Sequence, residues 1–139
     1  INNQDDLSKI IILISIHTFL FGDVKVEFSH SDFNEEDRML SRTFNMLSHF
    51  RKNYKSFSVI EHKILYEDDS MTFWLKNEAD ESTIIAINNS PFNKQISLDL
   101  SDLKPNYALS LLDRSMVRFD DGKANFNLSK YQTKMFNLK

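Results

Sequence analysis

Cysteine is absent, and glycine occurs only twice, at Gly22 and Gly122. The first absence excludes disulfides and thiolate metal sites. The second excludes a glycine-rich phosphate loop, which needs several small residues to bring backbone amides onto a phosphate. An excess of one charge sign is missing too: 17 Lys and Arg stand against 20 Asp and Glu, for a net charge of -3. With no broad basic field, nucleic acid is not an expected partner. Nor is there a long hydrophobic run. The strongest, IIILISI at Ile10–Ile16, is bounded by Lys9 and His17 and is short for a membrane span. It carries neither the charged leader nor the cleavage site of a signal peptide. No membrane is expected as a partner, and the run reads as a buried element that asks for partner surface. The four histidines, at 17, 30, 49 and 62, form no metal-binding spacing, so no metal and no cofactor are expected.

What is present is a foldable chain. Of 139 residues, 41% are hydrophobic and 12% aromatic, enough for one domain with a real core. It starts at Ile1, which reads as a processed, truncated or partial chain. Asp6–Ile16 reads as a helix capped by Asp5, with a buried strand as the alternative because isoleucine is only a fair helix former. A second helix is expected over Asn34–Asn53. Asn34 can cap it, acidic residues occupy its first turn, and Arg51 and Lys52 occupy its last. Leu40, Phe44 and Leu47, widened by Met39, Met46 and Phe50, give it one broad apolar stripe.

After Asn53 the period changes. Strands are expected at Glu61–Tyr66, Met71–Lys76, Thr83–Asn88, Lys94–Leu100, Tyr107–Leu112, Met116–Arg118, Ala124–Leu128 and Thr133–Leu138. Asp121-Gly122 is a strong turn signal. Thr83–Leu100 reads as a half-buried antiparallel pair around the turn Asn88-Asn89-Ser90-Pro91. The fold class is mostly β, an antiparallel β-sandwich preceded by one or two helices. The division expected is a helical segment at 1–55 and a sandwich at 56–139.

The order of elements is specific. The helix EDRMLSRTFNMLSHFRKNYKSF leads into EHKILYEDDSMTFWLKN, then STIIAINNSPFNKQISLDL, YALSLLD and the closing LSKYQTKMFNLK. It resembles the C-terminal region of the α-amylase family of glycoside hydrolases. The arginine-bearing stretch of the last barrel helix is matched by Arg38 or Arg42 and by Arg51-Lys52. The sandwich strand of that family is matched by Ile84-Ile85-Ala86-Ile87-Asn88-Asn89-Ser90, and a late element by Leu111-Leu112-Asp113. Asn3-Gln4-Asp5 resembles a short Asn-His-Asp motif with glutamine for histidine, and His17–Asp23 resembles the remnant of the eighth barrel strand.

The resemblance implies the tail of a (β/α)8-barrel enzyme acting on α-glucans. Two carboxylates about 5 Å apart do the chemistry of a retaining glycosidase. In this family they lie on upstream strands that the chain lacks, so no catalytic residue is expected here. This portion would stabilise a preceding barrel or pair with another subunit, and would meet an α-glucan or oligosaccharide through the parent enzyme. The alternatives are an independent carbohydrate-binding or interaction module, or a non-catalytic amylase homologue.

Two residues are candidates for substrate binding. Asp5 matches the family's third acidic residue, against the plainer reading of a helix cap. Trp74 follows Phe73 in a strand, so one ring points in and the other out. An outward Trp74 can stack on a sugar or pack against a helix or barrel. Asp68-Asp69 and Asp120-Asp121 read as turns rather than calcium loops, which need more oxygen ligands in order. Asn88-Asn89-Ser90 and Asn127-Leu128-Ser129 match the glycosylation pattern.

Overall fold

The computed structural model describes residues 3–21, 35–54, 56, 61–78 and 81–139. Two helices come first, α1 (Asn3–Phe21) and α2 (Glu35–Asn53). Eight strands follow: β1 (Lys63–Glu67), β2 (Met71–Glu78), β3 (Glu81–Asn88), β4 (Lys94–Asp99), β5 (Tyr107–Ser110), β6 (Met116–Arg118), β7 (Lys123–Leu128) and β8 (Thr133–Leu138). The mostly β, antiparallel architecture agrees with the fold class read from the sequence. No described helix is long and apolar enough to cross a membrane.

The strands form a six-stranded sheet in the order β1-β2-β3-β8-β5-β6 and a two-stranded sheet of β4 and β7. Alternation sorts their side chains. On one face of the large sheet, Phe73, Ile84, Ala86 and Phe136 meet Leu98, Phe126 and Leu128 of the small sheet. Phe126 is the centre of this layer, edge-on to Phe73 (5.6 Å), Phe136 (5.2 Å) and Phe119 (6.0 Å). Such edge-to-face pairs add about 0.5–1.5 kcal/mol each to the area they bury. On the opposite face, Ile85, Ile87 and Met135 pack with Ile12 of α1 and with Leu47 and Phe50 of α2. The molecule is therefore helices, large sheet, small sheet, with an apolar layer on each side of β3.

Three expectations are corrected. Helix α1 begins at Asn3, so Asp5 lies within its first turn and does not cap it. The helix also continues through His17–Phe21, which therefore do not form a strand resembling the eighth of a barrel. The third concerns Thr83–Leu100. Strand β3 pairs with β2 and β8, and β4 pairs with β7. The two are not a hairpin: the chain between them crosses from one sheet to the other. The proposed Asn34 cap lies outside the described residues.

The crossing is built on Asn88. Its side chain is fully buried. The amide Nδ2 donates to the Phe92 carbonyl (2.8 Å) and the Ser129 carbonyl (2.9 Å), with Leu128 O at 3.4 Å. Its Oδ1 accepts the Ser90 hydroxyl at 2.7 Å. One side chain thus ties the end of β3 to the end of β7. Asn88 is unavailable for glycosylation, whereas Asn127 is exposed.

The same local device closes three further turns. Asp68, Asp99 and Asp113 each stand two residues before a serine whose backbone N–H and hydroxyl both donate to the Asp Oδ1. This is the Asx turn, in which a short side chain replaces a backbone acceptor. The Asp121-Gly122 turn takes the form its sequence predicts, though β6 and β7 on either side of it lie in different sheets. Both residues have positive φ, 52° and 79°, and Asp120 and Lys123 bond each other's backbone.

Replacing Asn88 strands buried carbonyls of the crossing, at a cost of about 2–4 kcal/mol. Asn88→Ala and Asn88→Asp, the latter keeping the shape but losing the donor, are both expected to lower Tm by about 10 °C. Asn89→Ala at the exposed neighbour leaves it unchanged. Circular dichroism melts of the three variants check this, and an Asn88→Asp melt matching the parent would refute it.

Candidate functional site

The outer face of the large sheet carries three rows of side chains, set by the strand registers. Thr72, Ile87 and Thr133 form the first; Trp74, Ile85 and Met135 the second; Lys76, Thr83 and Asn137 the third. Helix α1 lies over the first two rows and leaves a groove of about 330 Å³ beside them. Ile12, Leu13 and Ile16 form its helical wall, Trp74 and Ile87 lie opposite, and Asp69, Ser70 and Asn89 are on its rim.

Trp74 does point outward, away from the inter-sheet core. It is partly buried, packs in the layer beneath the helices, and stands edge-on to His62 at 6.4 Å. It occupies both places its sequence allows: part of the ring packs, and part faces the groove. Asp5 is elsewhere. It sits at the start of α1 with one carboxylate oxygen 3.5 Å from Lys130 Nζ, and it does not line the groove. The structure does not bring the two candidates into one cavity. One turn along α1, Lys9 lies over the Tyr131 ring at 4.8 Å, a cation–π contact that helps seat the helix on the sandwich.

One carboxylate lining the groove, Asp68, is committed to structure. Asp68 Oδ2 accepts the Tyr66 hydroxyl at 2.7 Å, while Oδ1 accepts the N–H groups of Ser70 (2.8 Å) and Met71 (2.7 Å). The Tyr66 hydroxyl and these N–H bonds hold its carboxyl down to about 2. Asp113 is held near 2 by Ser115, and Asp99 is lowered by Ser101. Among the described residues, no three His, Asp or Glu side chains are grouped as a metal ion would need.

The third row holds the residue that sequence reasoning missed. Lys76 is only 1% exposed. It lies among Thr83, Asn137 and Ser56, whose hydroxyl donates to Glu81 at 3.0 Å and lies 2.5 Å from Thr83 Oγ1. Burial, aided by the Arg51 guanidinium, pushes the Lys76 ammonium down from 10.5 to about 8. A lysine between Leu75 and Asn77 near a strand end carries no sequence signal of burial. Its cover comes from elements distant in the chain.

A helix pair packed on a lopsided two-sheet sandwich, with aspartates closing its turns, is the class of fold that the described residues define. The family model for the alpha-amylase C-terminal domain matches residues 61–136, and the chain belongs to that family. By structure it is similar to the α-amylase of Geobacillus thermoleovorans complexed with acarbose, with TM-score 0.77 and 20% identity over 96% of this chain and 33% of that one. It is similar to an Anoxybacillus α-amylase, with TM-score 0.75 and 21% identity over 99% and 33%. A third likeness is to AmyP in complex with maltose, with TM-score 0.67 and 20% identity over 76% and 21%. The chain therefore spans about a third or less of these enzymes. No curated protein matches the sequence.

Two pH responses follow. A carboxylate whose folded pKa is depressed adds stability above its unfolded pKa, and that stability disappears as pH falls through the folded value. With Asp68 and Asp113 near 2, unfolding by urea should become easier as pH drops from about 4 to 2. Asp68→Asn together with Asp113→Asn should flatten this limb. For Lys76 the sign reverses. Between about 8 and 10.5 the unfolded chain holds the proton that the folded chain has released. Stability therefore rises with pH across that window. Lys76→Met should abolish the rise, measured as the difference in urea midpoint between pH 7.5 and 10; an undiminished rise in the variant would exclude Lys76 as its source.

Proposed function

We propose that this chain is the C-terminal part of an α-amylase-like glycoside hydrolase acting on α-glucans, in which it is non-catalytic and stabilises the barrel. Within it, residues 1–55 would close the barrel and residues 56–139 would form the sandwich domain. The observation that carries this reading is α1. It is apolar nearly all round, buries Ile12 against the large sheet, and still exposes Ile10 (43%) and Leu13 (66%). A helix of that composition belongs in a protein interior, with partner surface on its second face. The family membership and the enzymes it resembles support a preceding barrel as that partner. AmyP was solved with maltose, which supports an oligosaccharide as what the parent enzyme binds.

A second reading rests on the groove. Trp74 offers an aromatic face beside the hydroxyl of Ser70 and the amide of Asn89, the side-chain types that hold a pyranose ring. In this reading Trp74 is a substrate-binding residue. Asp5, already ion-paired to Lys130, would be at most a further substrate contact.

The decisive assay compares maltooligosaccharide hydrolysis by the full-length gene product, by its barrel portion and by this chain. This chain alone is expected to release no sugar. The full-length enzyme should be active, and Leu13→Asp should lower its inactivation temperature by several degrees without changing KM. Turnover by the isolated chain would overturn the reading. A Trp74→Ala variant that weakens maltotriose binding to the isolated chain would establish the second reading instead.

A further inference from the structure

The end of the sandwich between β4 and β8 opens into a second groove, of about 500 Å³, remote from Trp74. Its charged walls come from the two different sheets. Lys94 pairs in register with Leu128, a residue of the inter-sheet core, and so projects to the core side of the small sheet. Lys134 pairs with Ala86, also of that core, and so projects to the core side of the large sheet. Both are partly buried, and both line the groove.

The rim is donor-rich, and this follows from hydrogen bonds already made. Asn93 Oδ1 accepts the backbone N–H of Lys130 at 3.1 Å. Gln132 Oε1 accepts the backbone N–H of Ser129 at 2.8 Å. A backbone N–H pairs only with an acceptor, so the orientation of both amides is fixed. Their oxygens are spent and their NH2 groups remain. Among the described residues no carboxylate lines the groove. The nearest acid to either lysine among the described residues is Asp113, 3.9 Å from Lys134 Nζ and held by its own turn through Ser115. Two lysines and two amides whose oxygens already accept backbone N–H groups thus line one groove.

We propose that this mouth is an oxyanion site, which takes a phosphate-type dianion between Lys94 and Lys134 with Asn93 and Gln132 donating to its remaining oxygens. Facing sheets stand about 10 Å apart, so ammonium groups reaching inward from both walls can contact one tetrahedral anion at about 2.7–2.9 Å each. A neutral sugar fits less well. It carries no negative charge to meet the two lysines, so the strongest donors of the groove gain only ordinary hydrogen bonds from it. The dianion is free or borne on a small sugar phosphate. The competing explanation is that the inward lysines only guard the open sandwich against strand addition.

The test is an NMR titration of the intact chain with inorganic phosphate at pH 8 and low salt, following the backbone amides of residues 93–95 and 128–134. Saturable shifts confined to these amides are expected. Lys94→Met and Lys134→Met, which keep the apolar stem, should each weaken binding about tenfold. Lys94→Arg should retain it. Glucose 6-phosphate should reproduce the shifts if a sugar phosphate is accepted, and inorganic phosphate alone should do so if only the free ion is; either supports the site. The proposal is overturned if no saturable shift occurs there, if maltotriose produces the same shifts, or if a Lys94→Met/Lys134→Met protein with unchanged Tm binds phosphate as before.

Discussion

Burial of β3 on both faces is the constraint around which the molecule is arranged. Ile84 and Ala86 face the small sheet, while Ile85 and Ile87 face the helices. A strand in a one-layer sheet can leave alternate residues in water. This one cannot, because four consecutive apolar side chains need cover on two sides. Each apolar residue so buried stabilises by about 1.5–3 kcal/mol. The helices are thus not an appendage to the sandwich. Without Leu47, Phe50 and Ile12 above them, Ile85, Ile87 and Met135 would form an open apolar face at the middle of the sheet.

That arrangement explains why the chain after β3 must leave its sheet. Strand β3 already has a neighbour on each edge, β2 and β8, so no edge is free for β4. The next strand goes to the other layer and pairs with β7, and the crossing needs something to hold a sharp exit in place. Asn88 does this because an amide can donate twice and accept at once. It gathers carbonyls from Phe92 and Ser129 and the hydroxyl of Ser90 into one point beneath the crossing.

The strand positions were legible because alternation is a local property. Met116–Arg118 and Thr133–Leu138 could be read directly from sequence, as could the Asp121-Gly122 turn, whose residue types allow the positive φ that the structure shows. Pairing is not local. The string Asn-Asn-Ser-Pro satisfies a hairpin turn and a sheet crossing equally well, since the partners that decide between them lie about 40 residues away. The signal that does discriminate is the absence of any polar alternate in Ile84–Ile87, which marks a strand covered on both sides rather than half-buried. Trp74 was legible as an outward ring, but its setting depends on where α1 lies. Asp5 was placed by resemblance, and the ion pair with Lys130 comes from a contact that spans nearly the whole chain. Lys76 was illegible for the same reason as its burial: its cover is assembled from distant segments.

The acidic residues bear on where chemistry can reside. A general acid in a glycosidase needs a carboxyl whose pKa is raised by apolar surroundings, beside a second carboxylate kept ionised. The turn aspartates of this chain are pushed the other way. Asp68, Asp99 and Asp113 each collect serine N–H and hydroxyl donors, which stabilise the anion and lower the pKa. A carboxylate that closes a turn by accepting two to four hydrogen bonds has no proton to give near neutral pH and little freedom to approach a glycosidic oxygen. The property that makes these residues good at holding strand ends together makes them poor acids. Asp-x-Ser and Asn-x-Ser at successive turns are thus a folding device, and the carboxylate pair that a retaining mechanism requires must come from outside these turns.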